Sequence, residues 1–184
     1  MTTISDDLAS LQSTSGAYYA GKIDSHEFWS RLCEVALTRL ACSRVSLWRF
    51  EGAPGSLTLL CFAAKCAGDP MRRLDTRLAK VGYRAYFDVL RKTGTYASDD
   101  TLADPDLEPM RESYLLEHGI VSTLDAAYMV NGRAYGVVCC EQTDAPRHWA
   151  QADITALRTL VAKAAMLMAG AGDAALWSAP SVRL

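Results

Sequence analysis

The sequence predicts an α/β domain of the α+β kind, in which one central antiparallel sheet carries helices packed on it. Segments of helical and strand period alternate along the chain, with no internal repeat or low-complexity stretch. Asn131-Gly132 stands between two strand-like runs, the setting of a tight hairpin turn whose central residues need positive φ. Helix-like segments at the two ends bracket the strand-like ones, which places the helices against one shared sheet.

Residues 6–20 have a weak helical pattern, with Leu8 and Leu11 on one side and Ser13, Ser15 and Gly16 against it. A better helix follows: Asp24 or Ser25 can cap it, Glu27 is placed to reach back, and Phe28, Leu32, Val35, Ala36 and Leu40 share a face. Arg44–Phe50 is rich in β-branched and aromatic residues and ends at Gly52, Pro54 and Gly55, which suits a strand and turn. Leu57–Ala64 should pair with it as a hairpin. The next stretch lacks a regular period until Tyr83–Lys92, a helix with Tyr86 and Leu90 on one side and Gly94 as its stop. A long loop is expected after Gly94, and within it the aspartates of Ser98–Asp106 bond nearby backbone N–H groups. A short helix is expected over Leu107–His118, ended by Gly119. The hairpin Thr123–Val130 and Arg133–Glu141 comes next. The last helix starts near Ala150 and carries Ile154, Leu157, Val161, Ala164 and Met168 on one stripe as far as Gly170 and Gly172.

Composition narrows the function. The chain has 184 residues, half of them apolar, enough for one domain with its own core. A net charge of −2 with interspersed signs offers no basic field for nucleic acid and no polybasic run for a membrane surface. No run approaches the ~20 apolar residues that span a bilayer, and the N-terminal MTTISDDLAS lacks a signal-type apolar segment, so a cytoplasmic location is expected. The six cysteines form no CxxC pair and read as reduced core thiols. Nor is there a GxSxG turn, an HExxH motif or a glycine-rich phosphate loop.

The second half resembles the GAF sensor domains, in particular the bacterial signalling subtype found with diguanylate cyclases and histidine kinases. The residues that carry the resemblance begin with Ser98-Asp99-Asp100, Asp104-Pro105, Tyr114-Leu115 and Gly119-Ile120. They continue through Ser122-Thr123-Leu124-Asp125, Asn131-Gly132, Gly136-Val137-Val138-Cys139 and Glu141, and end with Arg147-His148-Trp149 and Asp153. They stand in the family's order over roughly residues 25–169. The resemblance implies first and last helices on one face of the sheet and a ligand cavity on the other, under middle helices and loops. It implies a GAF domain at 23–170, with a helical extension at 1–22 and a tail at 171–184.

The same resemblance implies a cavity wall of Trp48, Tyr86, Asp99, Asp100, Tyr114, Asp125, Cys139 and Glu141. Period-two alternation puts Cys139 and Glu141 on one face of their strand and Cys140 on the other. Aromatic walls with a few carboxylates suit recognition of a small molecule. For Trp48 and Tyr86 a plain core role outweighs ligand contact, and the loop aspartates read first as caps. For Glu141 ligand contact and structural hydrogen bond weigh equally, since a buried carboxylate needs one or the other.

Departures from the family's branches limit the ligand. The cyclic-nucleotide signature finds only Trp149 and Asp153 here, without the lysine that pairs with the aspartate. The segment that bears the bilin cysteine in phytochromes reads Glu112–Gly119, with His118 and no cysteine, so no covalent bilin is expected. The cysteines of the methionine-sulfoxide-reducing branch have no counterpart between Gly68 and Val138. No metal is expected, because the loop aspartates lack EF-hand spacing. The expected function is a non-catalytic sensor that binds an unidentified small molecule and relays the change through its outer helices to a signalling enzyme in trans. The alternative is a ligand-free dimerisation module, with Leu8, Leu11 and exposed Leu160 and Leu167 forming a homodimer face. A stand-alone protein is expected rather than a fragment.

Overall fold

Capping chemistry starts the first two helices. In α1 (Ile4–Tyr19) the Thr3 hydroxyl accepts from the Asp6 amide at 3.2 Å, and the Asp6 carboxylate accepts from the Thr3 amide at 2.7 Å. In α2 (Ser25–Leu40) Asp24 accepts from the Glu27 amide at 2.8 Å. Glu27, expected to reach back to that cap, instead pairs with Arg31 one turn on at 2.6 Å. The structure, a computed structural model, describes residues 3–51, 58–79, 83–170 and 182–183. The Gly52, Pro54 and Gly55 turn and the 171–181 part of the expected tail lie outside them.

All strand pairings are antiparallel. The strands are β1 (Arg44–Glu51), β2 (Thr58–Cys66), β3 (Arg72–Ala79), β4 (Thr95–Ser98), β5 (Ser122–Val130) and β6 (Arg133–Gln142), ordered β3-β2-β1-β6-β5-β4. A two-residue β7 (Val182–Arg183) pairs with Arg133 and Ala134 of β6. The hairpin turn forms where Asn131-Gly132 predicts it, with φ of 51° and 72°.

Two strands escape the sequence pattern. The stretch read as irregular contains β3, whose Arg73, Asp75 and Arg77 are exposed while Leu78 is buried. Charged residues protect such an edge from pairing with other chains, and they also mask its strand signal. The start of the predicted loop is β4, which at four residues is too short to show a period. The helix expected at Leu107–His118 is also different: a 3-10 turn at Pro105–Met110 runs into a π-helical turn at Arg111–Leu115. Pro109 inside the first turn has no N–H to give an α-helical ladder. Helix α3 (Arg84–Thr93) and helix α4 (Gln151–Gly170) match expectation, α3 ending at Gly94 with φ of 75°.

The sheet separates two cores. On one side α1, α2 and α4 cover Val45, Leu47, Leu124, Val138 and Cys140. On the other, α3 and the segment 105–120 cover Trp48, Cys61, Leu78, Val137 and Cys139, with Tyr96 of β4 in the same core. Cys139 and Cys140 thus fall on opposite faces. Leu160 and Leu167, expected to be outward-facing, are 0 % and 8 % exposed, and Leu11 is 0 %. The reason is that α1 packs on both α2 and α4, with Asp7 bonded to Arg39 at 2.5 Å, so this apolar face is consumed within the chain. Among the described residues no helix is long and apolar enough to cross a membrane.

Gly136 permits the closest approach in the sheet. The Tyr128 hydroxyl donates to the Trp48 carbonyl at 2.7 Å across it, and a Cβ there would stand 1.9 Å from that carbonyl oxygen. Gly136→Ala is expected to lower stability by about 3 kcal/mol in urea unfolding, because neither backbone nor ring can retreat. Gly16→Ala, in a helix interior with open space around it, should raise stability by about 0.5–1 kcal/mol.

Candidate functional site

The register of three central strands builds a polar grid on the side of the sheet away from the α1–α2–α4 layer. Arg44 pairs with Glu141 and Ser46 with Cys139 across β1 and β6, while Thr123 pairs with Glu141 and Asp125 with Cys139 across β5 and β6. Above the grid the sheet and its cover enclose a cavity of about 30 Å³. Its sheet side is Trp48, Leu59, Leu78, Thr123, Asp125, Cys139 and Glu141; its roof is Tyr86 from α3 with Leu107, Met110, Tyr114, Leu115 and Ile120.

Two carboxylates organise the polar contacts. Glu141, 1 % exposed, is ion-paired with the Arg44 guanidinium and accepts from Ser46 Oγ at 2.9 Å and Tyr114 Oη at 2.7 Å. Arg44 also donates to Tyr114 Oη at 2.7 Å, and Trp48 Nε1 donates to Ser46 Oγ at 2.9 Å. The Tyr114 hydroxyl therefore pins the π-helical roof turn onto the sheet. Burial works against the Arg44 charge, but Glu141 and Tyr114 outweigh it, so its pKa rises further above the ordinary value.

Asp125, 3 % exposed, accepts from Tyr86 Oη at 2.8 Å and Thr123 Oγ1 at 2.6 Å. Burial pushes its pKa up to about 7, the nearby Glu141 charge adds to this, and hydrogen bonds from Thr123, Tyr86 and Cys139 act in the opposite sense. Burial first, then the Asp125 charge, raises the Tyr86 hydroxyl and the Cys139 thiol well above their ordinary ranges. Both act here as neutral donors.

Of the eight residues predicted from the sequence, Trp48, Tyr86, Tyr114, Asp125, Cys139 and Glu141 line this one cavity. Asp99 and Asp100 do not, which corrects the expectation for them. Asp99 accepts from the Trp149 amide at 3.0 Å and bonds His148 Nδ1 at 2.6 Å, joining its loop to the approach to α4. That bond to His148, then the one from Trp149, holds its carboxyl below the usual range. Asp100 accepts from the Leu102 and Ala103 amides at 3.1 and 3.2 Å. Asp100 thus serves its own turn, as short acceptor side chains do, while Asp99 ties the loop to the chain before α4.

The sequence reading missed Arg44, Ser46 and Thr123. A signal existed for the first two: Arg44, Ser46 and Trp48 are spaced by two along one strand, which puts them on one face. Among the described residues no three His, Cys, Asp or Glu gather as a metal group. All six cysteines are free thiols, with only Cys66 exposed.

Two substitutions probe the grid. Arg44→Met leaves Glu141 buried without its cation and is expected to cost about 3–5 kcal/mol in urea unfolding, much of it recovered on adding Glu141→Leu. The second probe is pH. Asp125 has an ordinary value of 3.8 and a folded value of about 7, so between these the folded chain keeps a proton that the unfolded chain has lost. This stabilisation is complete below the lower value and disappears as pH rises through the higher one. Between about pH 5 and about pH 7 the wild type should lose stability relative to Asp125→Asn by about 1.4 kcal/mol per pH unit, and the difference should level off by about pH 8. A difference that stays constant would mean Asp125 ionises as an ordinary carboxylate.

The chain matches the family model described as GAF domain over residues 24–168. A phycoerythrobilin-bound GAF domain from a cyanobacterial phytochrome superposes with a TM-score of 0.71 at 12% identity, covering 93% of this chain and 97% of that one. The blue-light absorbing form of the Thermosynechococcus elongatus PixJ GAF domain gives 0.63 at 16% identity, covering 87% of each chain. The photosensory core module of the Stigmatella aurantiaca phytochrome gives 0.67 at 17% identity, covering 92% of this chain and 37% of that larger one. No curated protein matches the sequence. The family match spans most of the chain, and the sheet, roof and helical layer agree with it: the chain belongs to the GAF domain family.

Proposed function

We propose that this GAF domain is a non-catalytic sensor that takes a small molecule between the sheet and the 105–120 roof. One observation carries the reading: two carboxylates, Asp125 and Glu141, 3 % and 1 % exposed, line the same small cavity. A scaffold with no ligand to orient would fill that space with apolar side chains, because each buried carboxylate needs compensating partners.

At about 30 Å³ the cavity has room for one or two small atoms, so a larger ligand must lift the roof. The weak point for such lifting is the Tyr114 hydroxyl, which donates to Glu141 and accepts from Arg44 at 2.7 Å each and so ties the 105–120 segment to the sheet. Tetrapyrroles are of the size that needs several hundred Å³. Two of the similar GAF domains come from light-absorbing receptors, but this chain has no cysteine in 112–119 for covalent attachment. A covalent bilin is not part of the proposal.

The relay follows from the strand faces. Asp125 points to the cavity while Leu124, its neighbour, lies in the helical core, and α4 packs on β5. Ligand binding shifts the population of roof-open and roof-closed forms by its differential affinity for them, and β5 passes the change to α4. The output is a signalling partner in trans, with a homodimer as the working form.

The small cavity volume also favours a second reading, in which its own side chains fill the site and the domain acts as a dimerisation module. Native mass spectrometry separates the two. The sensor reading expects a co-purified small mass that is absent from the denatured spectrum and is reduced in Asp125→Asn and Glu141→Gln. A dimer without added mass, whose roof amides show the same hydrogen exchange with and without a cell extract of small molecules, would favour the module.

A further inference from the structure

The charge of the cavity wall indicates what kind of molecule suits it. Among the described residues, the lining contains no lysine, arginine or histidine, and its ionisable groups are the carboxyls of Asp125 and Glu141, the phenols of Tyr86 and Tyr114 and the Cys139 thiol. Glu141 is already matched: Arg44, behind the wall, supplies the opposite charge, and Ser46 and Tyr114 supply two further donors. Asp125 is not. The groups that face it are Tyr86 from α3, Thr123 on its own strand, and Cys139 and Glu141 from β6, with Tyr96 opposite it on β4. Tyr96 gives its own hydroxyl to Asp104 at 2.7 Å. Among the described residues, neutral donors therefore surround Asp125, the charge that acts on it is another carboxylate, and no lysine, arginine or histidine stands with it in the cavity wall.

A carboxyl so placed, opening on a cavity, has room for further donors, since a carboxylate accepts about four hydrogen bonds. An ammonium group would satisfy both its charge and its remaining lone pairs. The apolar remainder of the wall, including Leu59, Leu78, Leu107 and Met110, suits a short alkyl portion. An anion would meet two carboxylates, and a neutral molecule would leave the imbalance untouched.

We infer that the cavity takes a small alkylammonium group, with its N–H donors on Asp125 and its carbon atoms against the leucines and Met110. This deepens the ligand-sensor reading and rests on it. Occupation exchanges a proton for the cation when Asp125 is protonated, so binding weakens as the solution becomes more acidic.

Methylammonium chloride is the probe, because its two heavy atoms are on the scale of the closed cavity. Amide and indole N–H signals of the full chain would be followed by NMR, the Trp48 indole signal being assigned through Trp48→Phe. Methanol, formate and potassium chloride serve as neutral, anionic and inorganic-cation counterparts at matched ionic strength. The expected result is a saturable shift of Trp48, Thr123 and Asp125 signals with methylammonium alone, weakened about tenfold or more in Asp125→Asn and unchanged in Asp99→Asn. In the wild type the apparent affinity should fall about tenfold from pH 8 to pH 6, which tests the inference even where the asparagine variant does not fold. Equal shifts with methanol, formate or potassium, or an unchanged affinity at the lower pH, would overturn the alkylammonium inference while leaving a ligand site in place. Cavity signals that respond to none of the four would overturn the alkylammonium inference, whereas the ligand-site reading stands or falls on the co-purified mass.

Discussion

The buried Arg44–Glu141 pair is the constraint around which the cavity side of this domain is arranged. Charges taken out of water need geometry and further hydrogen bonds to recover the desolvation cost, and here three elements supply them. Arg44 opens β1, Glu141 stands next to the end of β6, and Tyr114 reaches down from the roof to bond both. Ser46 and Trp48 extend the network along β1. A roof of short 3-10 and π turns has little helical stability of its own, so this polar hold and the apolar contacts of Leu107, Leu115 and Ile120 keep it closed.

The other side of the sheet is built differently. There α1, α2 and α4 form a dry layer over β1, β5 and β6, from Phe28 and Leu32 through Leu157 to Met168. The two sides are one residue apart along each strand, as at Asp125 and Leu124 or Cys139 and Cys140. On β5 a cavity residue and a residue of the helical core thus stand side by side, and α4 packs on that strand. Burial of Leu160 and Leu167 against the rest of the chain leaves Met166, 70 % exposed, as the main apolar feature of the outer α4 face. An assembly through that face would rest on small and polar side chains more than on a leucine stripe.

Sequence legibility followed the strength of local signals. Asn131-Gly132 determined its hairpin because few residues accept positive φ at both turn positions. The α4 stripe was legible because twenty residues sustain one period. β4 was too short to show alternation, and β3 carried the charges that protect an edge, so neither looked like a strand. Pro109 was visible, yet its consequence, a change from α-helix to 3-10 and π turns, depends on the packing of Leu107, Met110 and Leu115 under the roof.

For the site, residue types and order along the chain determined the family resemblance, and with it the six wall residues that the fold brings together. What the tertiary structure alone decided is partnership. Asp99 and Asp100 have the same side chain as Asp125, but the first two meet free amides at the approach to α4 and within their own turn, while the third is buried among neutral hydroxyls and a thiol with the Glu141 charge nearby. Arg44 is one of nineteen basic residues, and only the register between β1 and β6 sets it against Glu141. Local sequence determines which backbone conformation is cheap, whereas the charge state and partners of a buried side chain depend on groups up to a hundred residues away.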